Sequence, residues 1–296
     1  MNGDGRFAPS PTGTLHVGNL RTALVAWLFA RSQDARYLVR MEDLDSGRVR
    51  ERFYDEQLRD LAALGLDWDG PVVRQSERIG LYDDAVQTLR DQGLVYECWC
   101  TRAEIREAAS APHDGLPEGA YPGTCLRLTA AERAEREASG RPPALRVRAG
   151  AARVGFDDRL AGHFEGVVDD FVVRRNDGAY AYNLAVVVDD AAQEVGEVVR
   201  GVDLLDSTPR QLWLGARLGL PAPRHAHVAL VLGPDGARLA KRHGAVTLAD
   251  RAAQGQGADD VRDELAASLH LCARGERLTP AQLVERFSVG DLREAA

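Results

Sequence analysis

Gly5-Arg6-Phe7-Ala8-Pro9 runs into Ser10-Pro11-Thr12-Gly13, and two residues later comes His16-Val17-Gly18-Asn19. The first five residues read as a short strand and the next four as a loop. From Gly18 to Ala30, Leu20, Leu24, Trp27 and Leu28 recur at helical spacing. Residues 36–41 then read as a second strand. Strand, Gly/Pro loop, helix and strand form a βαβ unit, which requires a parallel sheet with a right-handed crossover. In such a sheet the loop-to-helix junction after the first strand is where phosphate-bearing ligands sit, because the helix N-terminus offers free N–H groups and a partial positive charge. Gly18 lets a ligand approach closely there, and His16 can donate to a phosphate oxygen. Alone the tetrapeptide is a weak signal, since helix capping explains it equally well.

Working outward, residues 50–64 and 79–93 show helical spacing, and Gly70-Pro71 marks a turn between them. Val95 to Cys100 reads as a strand entering an insertion. Residues 101–143 are rich in Ala, Glu, Arg, Pro and Gly and hold little that builds a core. Residues 167–174 and 180–190 read as strands, followed by 197–201. Residues 208–218 read as a helix with Ser207 or Thr208 as N-cap and Pro209 in its first turn. Residues 225–232 read as another strand, and the last 50 or so as a helical, polar-surfaced region. The expected division is 1–94, first half of a Rossmann-like catalytic domain; 95–178, an acceptor-binding-like insertion with a zinc module; 179–244, the second half with a lysine loop; and 245–296, a helical C-terminal region without an anticodon-binding domain.

The chain has 296 residues, a net charge of −8, 45% hydrophobic and 28% charged residues. That is the composition of an ordinary globular protein. The acidic balance argues against a protein that coats nucleic acid non-specifically, while leaving room for a local basic face. No apolar run of about 18 residues suggests a membrane span. The N-terminus shows no basic-then-apolar signal segment, so a cytoplasmic protein is expected.

A second chemical element lies far downstream. Arg238-Leu239-Ala240-Lys241-Arg242-His243-Gly244 follows a strand and turn and gathers three cations in one loop. A mobile Lys241 suits a pyrophosphate leaving group, whose charge develops in the transition state. A solvated basic loop is the plainer explanation of the segment taken alone.

Together the two segments resemble the paired signatures of class I glutamyl-tRNA synthetases. Asp177-Gly178, Tyr182-Asn183, Val188-Asp189-Asp190 and Val199-Arg200-Gly201-Val202-Asp203 match that family's pattern as well. The resemblance covers roughly residues 5–245. It implies a class I synthetase fold: an α/β, Rossmann-like parallel sheet split by a zinc-containing insertion and followed by a short helical C-terminal region. It implies ATP, bound with Mg²⁺, as a substrate of His16, Gly18, Asn19 and Lys241, with His16 and Lys241 catalytic. Two positions depart from the pattern of the second signature, which normally begins with Lys and carries Ser where this chain has Arg238 and Ala240. Asn19 likewise stands where the first signature usually ends in His.

Glutamate presents two carboxylates and an ammonium, so a selective pocket needs guanidinium groups and an acid. Arg6 and Glu42 lie at the ends of the first two expected strands, which a parallel sheet brings together. Carried over from the family, Arg6, Ala8, Ser10, Glu42, Tyr182 and Arg200 line the glutamate pocket. Arg6 and Arg200 are assigned to carboxylate and Glu42 to ammonium. The structural alternative is an ion pair between Arg6 and Glu42 across two strand ends.

Of the four cysteines, Cys98, Cys100 and Cys125 fall within 28 residues, which favours a metal over disulfides in a cytoplasmic chain. Tetrahedral structural zinc needs four ligands. Tyr121, His113 and water all qualify as the fourth. Chemistry alone ranks His113 first, whereas the Cys-x-Cys, Tyr-x-x-x-Cys spacing of similar short synthetases selects Tyr121. One Zn²⁺ per chain is expected. Cys272 reads as an apolar helix-face residue.

Only about 50 residues follow Gly244, fewer than a separate anticodon-reading domain typically needs. The resemblance is therefore to the truncated group of the family, which attaches glutamate to the queuosine base in the anticodon loop of tRNA(Asp). The expected partners are queuosine-bearing tRNA(Asp), ATP and L-glutamate, with no membrane and a monomeric chain. The alternatives are a truncated conventional enzyme charging the 3′ end of tRNA(Glu), or an inactive relative that binds tRNA or a partner.

Overall fold

The computed structural model describes residues 3–109, 120–233, 244 and 246–294. In chain order the first part holds β1 (Asp4–Phe7), α1 (Val17–Arg31), β2 (Tyr37–Met41), α2 (Arg52–Ala63), β3 (Val73–Arg74), α3 (Ile79–Asp91), β4 (Val95–Cys98), α4 (Arg102–Ala109) and α5 (Ala130–Ala138). Next come β5 (Ala144–Val147), β6 (Ala152–Asp158), β7 (Gly162–Val168), β8 (Val172–Arg174), α6 (Tyr182–Ala192), β9 (Val195–Gly201), α7 (Thr208–Arg217) and β10 (Arg224–Val228). The chain continues through α8 (Leu248–Ala253), α9 (Ala258–Ala267), α10 (Pro280–Arg286) and α11 (Val289–Glu294).

The main sheet has the order β10-β9-β1-β2-β3, and every neighbouring pair is parallel. It is thus assembled from both ends of the sequence, with β1 in the middle. From β1 the chain crosses through α1 to β2 on one side, whereas β9 and β10 lie on the other. The strand order reverses beside β1, and a ligand crevice opens at such a point beyond the carboxyl ends of the strands. Between the two halves lie a three-stranded antiparallel sheet, β4-β5-β8, and the β6-β7 hairpin.

Two strand expectations change. The run at 180–190 is α6, not a strand. Leu184, Ala185 and Val188 on it are buried against α3 and α7, and Asp189 and Asp190 are buried too. A short apolar run buried on several sides looks the same as helix or strand by periodicity, and here the interior claims it for a helix. The run at 167–174 also breaks: β7 ends at Val168 and β8 begins at Val172.

The helix α1 is apolar almost all round, and the C-terminal region explains why. Val261, Leu265, Leu269, Leu271, Leu278, Leu283 and Leu292 join Leu20, Leu24 and Leu28 in a single core. The tail expected to be polar-surfaced therefore covers the face of α1 turned away from the sheet. Cys272 lies in the bend after α9, half-buried against the same core, rather than on a helix face.

Candidate active site

At the carboxyl end of β1 lies a cavity of about 340 Å³. Arg6, Ala8, Ser10, His16, Gly18, Asn19, Glu42, Tyr182 and Arg200 all line it. Every described residue expected to bind ATP or glutamate thus faces one space. Lys241 and the rest of the 238–243 loop lie outside the described residues.

The entry to α1 is built by a reciprocal cap. His16 Nδ1 accepts the Asn19 backbone N–H at 3.2 Å, and Asn19 Oδ1 accepts the His16 backbone N–H at 3.2 Å. Both donors are ones the first helical turn leaves unsatisfied. Asn19, where the family signature usually has His, closes this cap. Gly18 matters in a way the sequence did not disclose: a Cβ there would stand 3.0 Å from the His16 ring, so its bareness makes room for the imidazole.

The charges at the pocket are arranged in two groups. Arg6 donates from Nε and Nη2 to the carboxylate of Asp190, at 3.2 and 3.3 Å, and from Nη1 to the Val199 carbonyl at 3.4 Å. Arg40, fully buried, reaches Asp190 at 2.8 Å, Glu42 at 3.5 Å and Asp189 at 3.8 Å. Burial opposes ionisation of Asp190, but the Arg6 and Arg40 charges win and hold its carboxyl at about 2. At Glu42 burial wins over Arg40 and Arg6 and raises the carboxyl. The ion pair considered between Arg6 and Glu42 is not formed; each pairs elsewhere.

Arg200, on β9, belongs to neither group. It donates to His227 Nε2 at 3.0 Å, to the Tyr182 hydroxyl at 3.4 Å and to Thr208 Oγ1 at 2.8 Å, and it pairs with no carboxylate among the described residues. It is 5% exposed, and burial lowers its affinity for its proton. Among the described residues the pocket thus carries a buried cation hydrogen-bonded only to neutral groups, together with the Glu42 carboxyl at the end of β2. A ligand bearing an anion and an ammonium completes both.

Sequence reasoning missed the positions that hold this arrangement. Asp190 and Arg40 neutralise Arg6 and Glu42, and Asp158 and His227 stand behind Arg200. Asp190 carried a signal, since Val188-Asp189-Asp190 matches the family pattern, whereas Arg40 is marked only by its place two residues before Glu42. Asp158 carried none, because it approaches from the β6-β7 hairpin of the insertion.

The cysteine cluster is assembled as well. The Sγ atoms of Cys98, Cys100 and Cys125 all lie within 4.8 Å of one another. The Tyr121 hydroxyl lies 3.4 Å from Cys98 Sγ and 3.6 Å from Cys100 Sγ, and it accepts the Cys125 N–H at 2.8 Å. Tetrahedral zinc–thiolate bonds of about 2.3 Å place sulfurs roughly 3.8 Å apart, so the spacing fits such an ion. Hydrogen bonds from the other two thiols favour the Cys98 thiolate. The Arg146 guanidinium lies 3.8 Å over the Tyr121 ring and fixes its plane. His113 lies outside the described residues.

Comparison with known proteins agrees with the geometry. Residues 4–278 match the family described as tRNA synthetases class I (E and Q), catalytic domain. The chain is 59% identical over 277 residues to the glutamyl-Q tRNA(Asp) synthetase of Nocardia farcinica, covering 94% of this chain and 88% of that protein. It is 50% identical to the protein of the same name from Symbiobacterium thermophilum, over 96% and 92% of the two chains. It is 42% identical to glutamate–tRNA ligase 1 of Halorhodospira halophila, of which it spans 62%. Among solved structures, the glutamate tRNA ligase of Elizabethkingia meningosepticum superposes with a TM-score of 0.85 at 25% identity, over 99% of this chain and 66% of that one. The reversed strand order beside β1, the reciprocally capped helix α1 at the pocket and a match over 275 consecutive positions, 4 to 278, therefore lead to one conclusion: the chain belongs to the class I tRNA synthetases of the glutamyl and glutaminyl type.

Proposed function

We propose that this protein activates L-glutamate with ATP and transfers it to the queuosine base in the anticodon loop of tRNA(Asp). The observation that carries the proposal is Arg200. Among the described residues it is a buried guanidinium hydrogen-bonded to neutral groups alone, in the same cavity as Glu42. Glutamine would leave that charge unanswered, whereas a carboxylate answers it. Arg6 offers its remaining edge to the same substrate, Tyr182 orients it, and Glu42 takes the ammonium. The substrate α-carboxylate oxygen attacks the α-phosphorus of ATP, and the bond to the β-phosphate oxygen breaks to release pyrophosphate. His16 and the α1 N-terminus hold the phosphates with Gly18 and Asn19, and Lys241 neutralises the leaving group. ATP enters as its Mg²⁺ complex.

In this reading residues 1–94 and 179–244 form the catalytic unit and 95–178 the insertion, with 245–296 buttressing α1. Cys98, Cys100, Cys125 and Tyr121 would hold a zinc ion whose role would be structural, tying the end of β4 to residues 121–125. The enzyme works as a cytoplasmic monomer. The names of the Nocardia and Symbiobacterium relatives support the queuosine acceptor, and the Halorhodospira relative supports the alternative, the 3′ end of tRNA(Glu).

The test has two steps. Exchange of labelled pyrophosphate into ATP, with glutamate and no tRNA, is expected; its absence overturns the adenylate step. Queuosine-containing tRNA(Asp) is then expected to be charged, and queuosine-free tRNA(Asp) and tRNA(Glu) not. Charging of tRNA(Glu) instead establishes the alternative.

A further inference from the structure

Arg200 is held from behind by a chain of hydrogen bonds that begins outside the catalytic half. Asp158 closes β6, in the insertion. Its Oδ1 accepts the backbone N–H groups of Leu160 and Ala161, each at 2.9 Å, and of His227 at 3.1 Å. Its Oδ2 lies 2.6 Å from His227 Nδ1. Burial opposes the charged form of Asp158, yet the hydrogen bonds from His227 and the three amides keep its carboxyl at about 2. A carboxylate at Nδ1 fixes the tautomer: the ring carries its proton on Nδ1 and presents a lone pair at Nε2. That lone pair accepts Arg200 Nε–H at 3.0 Å. Thr208 Oγ1 accepts Arg200 Nη2–H at 2.8 Å and lies 3.2 Å from the same Nε2. His227 and Thr208 are 3% and 0% exposed, so no solvent competes for these bonds.

The choice of partner has a consequence. A carboxylate placed directly on Arg200 would aim it but also offset part of its charge, as Asp190, shared with Arg40, does for Arg6. A neutral imidazole aims the guanidinium and leaves the charge for the pocket. The ring must then be held in one tautomer, because the other would set N–H against N–H. We propose that Asp158 and His227 are positioning residues: Asp158 locks the His227 tautomer, and His227 aims Arg200 at the substrate side-chain carboxylate. The proposal rests on the reading of Arg200 given above.

The test is the exchange assay with separate KM values for glutamate and ATP. A hydrogen bond to a charged group corresponds to about a 10- to 100-fold change in an equilibrium. Asp158→Asn is expected to raise the glutamate KM by about that factor, while the ATP KM stays within about twofold, because the amide donates to Nδ1 and reverses the tautomer. In the Arg200→Ala background the same substitution is expected to change the glutamate KM by less than about threefold, since its route to the substrate is gone. Should Asp158→Asn fail to fold, His227→Gln and His227→Leu decide. Gln keeps an acceptor toward Arg200 and is expected to stay much nearer the wild-type KM than Leu; equal effects of the two overturn the proposal. If Arg200→Ala raises the glutamate KM but Asp158→Asn and His227→Leu do not, the relay is wrong and the pocket reading stands. Full additivity in the Arg200→Ala background also overturns the relay. If Arg200→Ala itself leaves the KM unchanged, both fall.

Discussion

Arg6 on β1 and Asp190 on α6, 184 positions apart in sequence, meet as a two-pronged buried ion pair. The pair sets how Arg6 acts. All three of its guanidinium nitrogens are bonded to the protein, Nε and Nη2 to Asp190 and Nη1 to the Val199 carbonyl, so the side chain is rigid before substrate arrives. Arg6→Ala is expected to raise the glutamate KM about tenfold or more, the size of one charge-assisted hydrogen bond. Asp190 keeps Arg40 at 2.8 Å, so the stability loss should be about 1–3 kcal/mol, below that of a fully orphaned buried charge. Pyrophosphate exchange and urea unfolding measure the two effects, and a wild-type KM removes Arg6 from the pocket.

Glu42 gives the enzyme an acid limb. Burial raises its carboxyl above the ordinary Glu value, so it gains a proton at a higher pH than an exposed glutamate does. For stability the sign is unfavourable: the folded state prefers the neutral form, so stability from this group is present below the ordinary value of 4.5 and is lost as pH rises from there through the raised one. For function only the ionised form holds an ammonium. The glutamate KM should therefore climb as pH falls, starting above 4.5. In Glu42→Gln it should be higher throughout and lose this limb.

His225 makes the fold acid-sensitive. The ring is 4% exposed, and burial, followed by the Arg200 charge, lowers its pKa to about 3. Between 6.5 and about 3 the unfolded chain binds a proton that the folded one refuses. Stability attributable to this group is present above 6.5 and declines as pH drops, by about 1.4 kcal/mol per unit. His225→Gln should unfold with a shallower pH dependence between 7 and 5. A slope equal to wild type in urea titrations rejects the assignment.

Purified protein should contain about one zinc per chain, and less than about half would count against the site. Cys125→Ser is expected to lose the metal and expose the Trp99 environment to quencher, because Trp99, Tyr121 and the cysteines share one small cluster. Retained stoichiometry in that variant would mean Cys125 is not a ligand.

Much of this site was legible because its parts lie on strand ends and a capped helix. Periodicity and turn chemistry at residues 5–41 placed Arg6, His16, Gly18 and Glu42 where the structure has them. The failures share a cause. Tyr182 was expected on a strand, yet it opens a helix whose Asp189 and Asp190 point inward, because charge pairing in an interior leaves no trace in hydrophobic period. Asp158 approaches from an insertion whose packing no local pattern describes. Arg238 and Ala240 stand outside the described residues, and their effect on Lys241 belongs to kinetics.

The seating of α9 and α10 against α1 bears on how the protein is made. A ribosome releases α1 long before Leu265 and Leu283, which complete its apolar surroundings, and before β9, which pairs with β1, and β10, which pairs with β9. The nascent N-terminal half consequently emerges with a greasy helix and a central strand exposed on one edge, and must wait until β9, α9 and α10 have been made. Slow translation across the insertion would lengthen that exposure, whereas chaperone capture of α1 would shorten it.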